Sequence, residues 1–262
     1  MPEGDTVYRT ARTLDQALHG SILTGCDIRV PAFATVDLTG QTVHEVVSRG
    51  KHVLHRVGTT SIHSHLKMEG AWHLYRPGTR WQRPEFQARI VLQTPDWIAV
   101  GFELGLLELV PTRTESQIVG YLGPDLLAAE WSAADSAEAT ARLAAMPERP
   151  VIVAVADQRN LAGLGNVYVN ELCFLRGLVP TRPVAEVTDL AGLVNLARRL
   201  LLANKDREER TTTGNLRRGA QLWVYGRAGQ PCRRCGGRIV RDRLGRTDLE
   251  LRDTYWCPRC QT

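Results

Sequence analysis

The chain has 262 residues, 43% of them hydrophobic and 23% charged, with a net charge of +5. This is ordinary globular composition, which excludes a disordered chain, and the length suits more than one core. No apolar run is long enough to cross a bilayer, and the first twenty residues carry acids early without a continuous apolar stretch, so neither a membrane span nor a secretory leader is expected.

Apolar residues at Val7, Tyr8, Ala11, Leu14 and Leu18 have helical spacing and predict a helix over residues 6–18. Pro2 and Asp5 suit its start, where proline's missing N–H costs nothing and an acid meets the positive helix end. After Gly20 come short alternating runs, ILTGCDIRV, QTVHEVV, HVLHRV, SIHSHL, ARIVLQ and WIAVGF, punctuated by glycine and proline. They predict an antiparallel β sandwich or barrel reaching to about residue 118. From Gln117 the pattern turns helical, through SAADSAEATARLAAM, a helix start at Pro150, and LVNLARRLLLANK. The expected fold is α+β and multidomain. An N-terminal β-sandwich catalytic domain spans 1–118, a linker 119–135, a helical domain 136–220 and a finger 221–262. VIVAVADQRNLAGLGN resembles a dinucleotide-binding turn, but the third glycine of that fingerprint is replaced by Tyr168, so a tight turn between helices is expected instead.

The charge is unevenly placed. From Lys205 onward there are fourteen Lys/Arg and seven Asp/Glu, whereas the first 204 residues hold nineteen and twenty-one. A basic surplus confined to one small region is the footprint of a polyanion, with nucleic acid the first candidate. The same region holds Cys232-Arg-Arg-Cys235 and Cys257-Pro-Arg-Cys260, two C-x-x-C knuckles with twenty-one residues between them. Four thiolates so arranged close a tetrahedral shell around one zinc ion, leaving no open position for water, so the metal is structural. Disulfides are disfavoured in a reducing cytosol. Cys26 and Cys173 stand alone in apolar surroundings and read as core thiols. Zinc ribbons also serve as protein-binding modules, but the arginines between these knuckles favour phosphate or base contact.

Chemistry must then come from elsewhere. His63 and His65 share one face of a strand with no third ligand nearby in sequence, which favours packing or phosphate contact over metal binding. The N-terminus offers more. Removal of Met1 would leave Pro2 as a secondary amine. An α-amino group has a pKa near ~8, and the positive end of a helix disfavours its protonated form further. Such an amine can attack an aldehyde-level carbon and form an iminium, with Glu3 beside it to move protons. Many chains begin Met-Pro, so this start alone does not identify a catalyst.

PEGDT at the start, SRGKHVL around Lys51, LAGLGNVYVNE, and a finger ending RDTYWCPRCQ occur in this order along the whole chain. Together they resemble the formamidopyrimidine-DNA glycosylase/endonuclease VIII family, in particular an actinobacterial endonuclease VIII-like branch. The resemblance implies a bifunctional DNA glycosylase and abasic-site lyase of base-excision repair, a monomer in the bacterial cytoplasm at the nucleoid. Its partner would be double-stranded DNA containing oxidised bases or abasic sites. Pro2 would be the Schiff-base nucleophile in a β,δ-elimination, Glu3 the acid/base and Lys51 the group at the phosphate and leaving group. LAGLGN would be the turn of a helix–two-turns–helix motif, with Asn166 holding phosphate beside the lesion. Arg252 would grip the phosphate next to the flipped site, Met68 would be the apolar wedge in the vacated stack, and His65 would touch phosphate. Two departures bear on substrate. Thr6 stands where the family usually has a second glutamate, and GFELGLLEL replaces the segment whose arginine faces the orphaned base. Both favour oxidised pyrimidines or abasic sites over 8-oxoguanine. A damage-binding protein that has lost base excision is the alternative. A zinc-ribbon accessory factor would explain the tail but neither the N-terminal amine nor Lys51.

Overall fold

The first helix, α1 (Gly4–Leu18), starts after the extended Glu3 and buries Val7, Ala11, Leu14 and Leu18 of the stripe expected from sequence, with Tyr8 half-buried. The computed structural model describes residues 2–262 and separates the chain into two compact units, the first ending at Tyr121 and the second beginning at Leu122.

In the first unit, eight strands follow α1: β1 (Gly25–Ile28), β2 (Val43–Arg49), β3 (His52–Val57), β4 (Thr60–His65), β5 (Ala71–Tyr75), β6 (Ala88–Gln93), β7 (Ile98–Phe102) and β8 (Leu106–Pro111). They form two four-stranded antiparallel sheets, in the orders β1-β6-β7-β5 and β2-β3-β4-β8. One apolar core joins both sheets to α1, with Val46, Val53 and Ile62 from one sheet, Trp72, Ile90 and Leu92 from the other, and Leu14 and Leu18 from the helix. The outer face of the β1-β6-β7-β5 sheet has its own smaller cluster of Tyr75, Val91, Val100 and Phe102, covered by Trp81 from the β5–β6 loop. Strands β5 and β8 are additions to the sequence expectation. Helix α2 (Ser116–Val119) closes the unit.

The second unit is helical, with α3 (Ala133–Ala144), α4 (Val151–Ala156), α5 (Asn166–Arg176) and α6 (Leu190–Asn204), followed by the hairpin of β9 (Val240–Leu244) and β10 (Arg252–Trp256). Ser132 caps α3 through a capping box with Asp135. Pro150 precedes α4 as the sequence suggests. The LAGLGN segment runs from helix α4 to helix α5, which explains why no dinucleotide-binding strand precedes it. Helix α5 packs against β10, and Phe174 joins Val224, Ile239 and Tyr255 in a cluster that includes Cys232 and Cys257. No helix among the described residues is long and apolar enough to cross a membrane.

Candidate active site and metal centre

The head of α1 gathers two acids. Glu3 is the extended residue before the helix; its carbonyl accepts the Val7 N–H at 3.0 Å, and the residue is 0% exposed. Asp5 in the first turn is also buried and accepts the Thr6 N–H at 2.7 Å. Carboxylates are favoured at a helix N-terminus, where unpaired N–H groups concentrate positive potential. Pro2, half-buried, directly precedes Glu3. The removal of Met1 falls on a residue outside those described. Asp5, expected from sequence only as a favourable first-turn acid, is here a second buried carboxylate one position before Thr6.

Lys51 lies on the β2–β3 hairpin, where Arg49 pairs with His52 and leaves a two-residue turn. Gly50 takes φ 59°, a left-handed conformation that glycine adopts without a Cβ clash. Behind this turn lies a hydrogen-bonded row that sequence reasoning missed. Glu108 on β8 meets His63 Nδ1 at 2.7 Å, His63 Nε2 meets His52 Nδ1 at 2.7 Å, and His52 Nε2 meets the Tyr121 hydroxyl at 3.2 Å. A carboxylate only accepts, so His63 carries a proton on Nδ1. With one proton per ring, His52 donates to His63 and Tyr121 donates to His52. Burial pushes the His52 pKa down to about 3, helped by His63, His65, Lys67 and Lys51. His65 is pushed down to about 4, first by burial and then by Lys67 and Lys51. His65 Nδ1 accepts the Lys67 N–H at 2.9 Å, so the neutral ring carries its proton on Nε2 as a donor. Lys51 and His65 therefore occupy one electropositive neighbourhood. Met68, one residue beyond Lys67, is 63% exposed.

The GFELGLLEL stretch forms the end of β7, a three-residue connection and most of β8. So short a connection projects no long side-chain-bearing loop, and it contains no arginine.

In the second unit, Gln158 braces the turn before α5, accepting the Gly163 N–H at 3.0 Å and donating to the Leu164 carbonyl at 2.8 Å. Asn166 is the first residue of α5, and its Nδ2 donates to the Asp253 carbonyl at 2.9 Å. The Asn166 side chain thus spends one of its two amide hydrogens within the protein. One turn on, Asn170 Oδ1 accepts the Tyr255 N–H at 2.6 Å. Glu171, 0% exposed, accepts the N–H groups of Trp223, Val224 and Tyr225 at 2.7, 2.8 and 2.9 Å and the Thr212 hydroxyl. Asn166 and Asn170 thus bind α5 to the strand that begins with the exposed Arg252, while Glu171 binds α5 to the 223–225 segment. Asn170 and Glu171 were missed because a polar residue inside a helix normally reads as a solvated face. Their signal lay in the run VNE, where two hydrogen-bonding side chains adjoin on an otherwise apolar helix.

The sulfurs of Cys232, Cys235, Cys257 and Cys260 all lie within 4.8 Å of one another, with Cys232–Cys260 at 3.9 Å and Cys235–Cys257 at 3.5 Å. A disulfide requires ~2 Å. A tetrahedral zinc–thiolate shell with bonds of ~2.3 Å separates its sulfurs by roughly 3.8 Å, so the cluster has the dimensions to hold such an ion. Four adjacent thiolates would repel strongly without a cation among them. Of the other two cysteines, Cys173 is fully buried and its thiol is pushed up to about 12, while burial also raises Cys26.

Residues 1–103 match the family model described as formamidopyrimidine-DNA glycosylase N-terminal domain. A solved structure described as a complex between Lactococcus lactis Fpg and abasic-site DNA aligns over 100% of both chains with a TM-score of 0.81; at 22% identity this likeness is one of fold. A Mycolicibacterium smegmatis protein named DNA-(apurinic or apyrimidinic site) lyase Nei2 is 53% identical over 100% of this chain and 99% of its own. A Mycobacterium bovis protein named Endonuclease 8 2 is 53% identical over 100% of both. The chain belongs to the formamidopyrimidine-DNA glycosylase/endonuclease VIII family.

Proposed function

We infer that this chain is a base-excision repair enzyme, a bifunctional DNA glycosylase and abasic-site lyase acting on oxidised pyrimidines and abasic sites in duplex DNA. The observation that carries the reading is the buried Glu3 carboxylate at the head of α1, directly after Pro2. With Met1 removed, the Pro2 nitrogen attacks C1′ of the extruded nucleotide. The base departs, Glu3 moves the proton that opens the sugar ring, and the resulting iminium makes the C2′ proton acidic. Loss of that proton expels the 3′ phosphate and a second elimination expels the 5′ phosphate. Lys51 and the His65 Nε2–H act at the phosphates. Asn166 with the backbone at the N-terminus of α5, and Arg252, hold the DNA backbone beside the lesion, and Met68 fills the vacated stack. Relatives named abasic-site lyase and endonuclease 8 support the same activity.

The four-cysteine cluster is read as the site of one structural zinc ion, which when bound supplies rigidity to the Arg252 hairpin and no reacting group. Catalysis would be assigned to the unit ending at Tyr121 and DNA holding to the helices and finger. We place the protein, as a monomer, in the bacterial cytoplasm at the nucleoid. Thr6 and the short β7–β8 connection support a preference for oxidised pyrimidines or bare abasic sites, and Asp5 supplies a nearby carboxylate.

Borohydride trapping on abasic duplex DNA tests this. Chain lacking Met1 should form a covalent adduct that Pro2→Gly reduces. No adduct would sink the lyase assignment in favour of a damage-binding protein, and equal trapping by Pro2→Gly would sink the nucleophile.

A further inference from the structure

The turn that presents Met68 is bent into a rare conformation and held there from outside. Lys67 takes φ 54° and Glu103, on the neighbouring β7–β8 connection, takes φ 45°; both are left-handed conformations that non-glycine residues rarely adopt without support. The Gly70 N–H closes the turn on the Leu66 carbonyl at 2.9 Å, and a Cβ at position 70 would strike the Leu66 and Glu103 carbonyls. The Lys67 N–H is held by His65. The remaining hold comes from Arg83 in the β5–β6 loop. Its Nη1 donates to the Glu69 carbonyl at 3.1 Å and to Glu103 Oε2 at 3.2 Å. That loop is itself pinned to the outer sheet face. Trp81 packs edge-on against Phe102 at 5.8 Å and beside Tyr75 at 6.3 Å, and the Tyr75 hydroxyl accepts the Gln82 N–H at 3.1 Å.

The geometry points to Arg83 as the positioning residue that keeps Met68 aimed for insertion into the DNA stack. One guanidinium joins the backbone just after Met68 to the carboxylate of the second left-handed residue. A flexible turn carrying a methionine would lose its freedom on binding, and a pre-set turn has already lost it. Core packing does not require the link, because the Arg83 and Glu103 side chains are each about one-third exposed and such pairs contribute little to stability. The inference rests on the wedge reading of Met68.

The test uses the full chain and a duplex carrying an uncleavable tetrahydrofuran abasic analogue with 2-aminopurine opposite it, comparing Arg83→Ala, Arg83→Lys, Met68→Ala and the Arg83→Ala/Met68→Ala double variant. Wild-type chain should raise the 2-aminopurine fluorescence. Arg83→Ala should bind about tenfold more weakly and lose that rise, at an unchanged melting temperature. Arg83→Lys should recover part of the signal. The double variant should bind no more weakly than Met68→Ala, since Arg83 acts through the wedge. Additive losses would make Arg83 a DNA contact in its own right and overturn the inference, as would full fluorescence in Arg83→Ala. If wild-type chain binds without a fluorescence rise, the wedge reading of Met68 falls and takes the inference with it.

Discussion

Glu171→Gln is the sharpest test of how the second unit holds its finger. The change keeps shape and volume but exchanges an acceptor for a donor. Glu171 Oε1 receives the Val224 and Tyr225 N–H groups, and Oε2 receives the Trp223 N–H and the Thr212 hydroxyl. Glutamine's oxygen can keep the first pair. Its NH2 then faces the Trp223 N–H, a donor that cannot reverse, although the threonine hydroxyl can rotate. One backbone N–H and one amide hydrogen are left without acceptors, at roughly 1–3 kcal/mol each. A loss of about 3 kcal/mol in the local opening free energy follows, equivalent to about two decades in exchange rate. Amide hydrogen exchange read by NMR should show the Trp223, Val224 and Tyr225 protons exchanging about 100-fold faster in the variant, with the strands of the first unit unaffected. Protection within about threefold of wild type would refute the claim that this carboxylate holds the segment.

Two further predictions concern acid and metal. His55, fully buried against Trp72, is held down to about 4 by burial, and His52 to about 3. Both are bases that bind protons more weakly folded than unfolded. Their stabilising contribution is complete above about pH 6.5 and is lost as pH falls toward 4, by up to about 2.7 kcal/mol per pH unit for the pair. Urea unfolding at pH 7, 6 and 5 should show that decline, and a flat profile would contradict it. For the metal, elemental analysis should find one zinc per chain, and Cys257→Ser should reduce both metal content and affinity for abasic duplex. Arg252→Ala with metal retained should lower the slope of log affinity against log salt by about one, and an unchanged slope would remove Arg252 from the phosphate contacts.

Periodicity carried much of the fold. The stripe from Val7 to Leu18 is a single amphipathic pattern, and HVLHRV and ARIVLQ alternate clearly enough to be read as strands. β5 was overlooked because AWHLY is short and its histidine interrupts the apolar alternation. β8 is hard to read because LLELVP sets two leucines side by side and ends in proline, so its period-2 alternation is weak. At the site, the cysteine spacing was readable because metal geometry constrains sequence locally. The row of Glu108, His63, His52 and Tyr121 was not, since the first three meet only through the β3-β4-β8 pairing and Tyr121 joins them from the chain after α2. Asn166 is legible as a family position, but its tie to the Asp253 carbonyl is visible only in the fold. Sequence names the residue; only the fold says which neighbour has claimed it.

That commitment has a mechanical consequence. Asn166 and Asn170, one helical turn apart, engage the carbonyl of Asp253 and the N–H of Tyr255, so the helix pitch and the strand repeat are locked in register. On the proposed reading, in which both hold phosphate, the start of α5 and Arg252 act as two jaws of a fixed-gauge caliper rather than as separate sensors. A caliper cannot relax to suit its object. DNA whose backbone does not match the gauge must deform to fit, and stiff, undamaged duplex resists that deformation more than duplex weakened at a lesion.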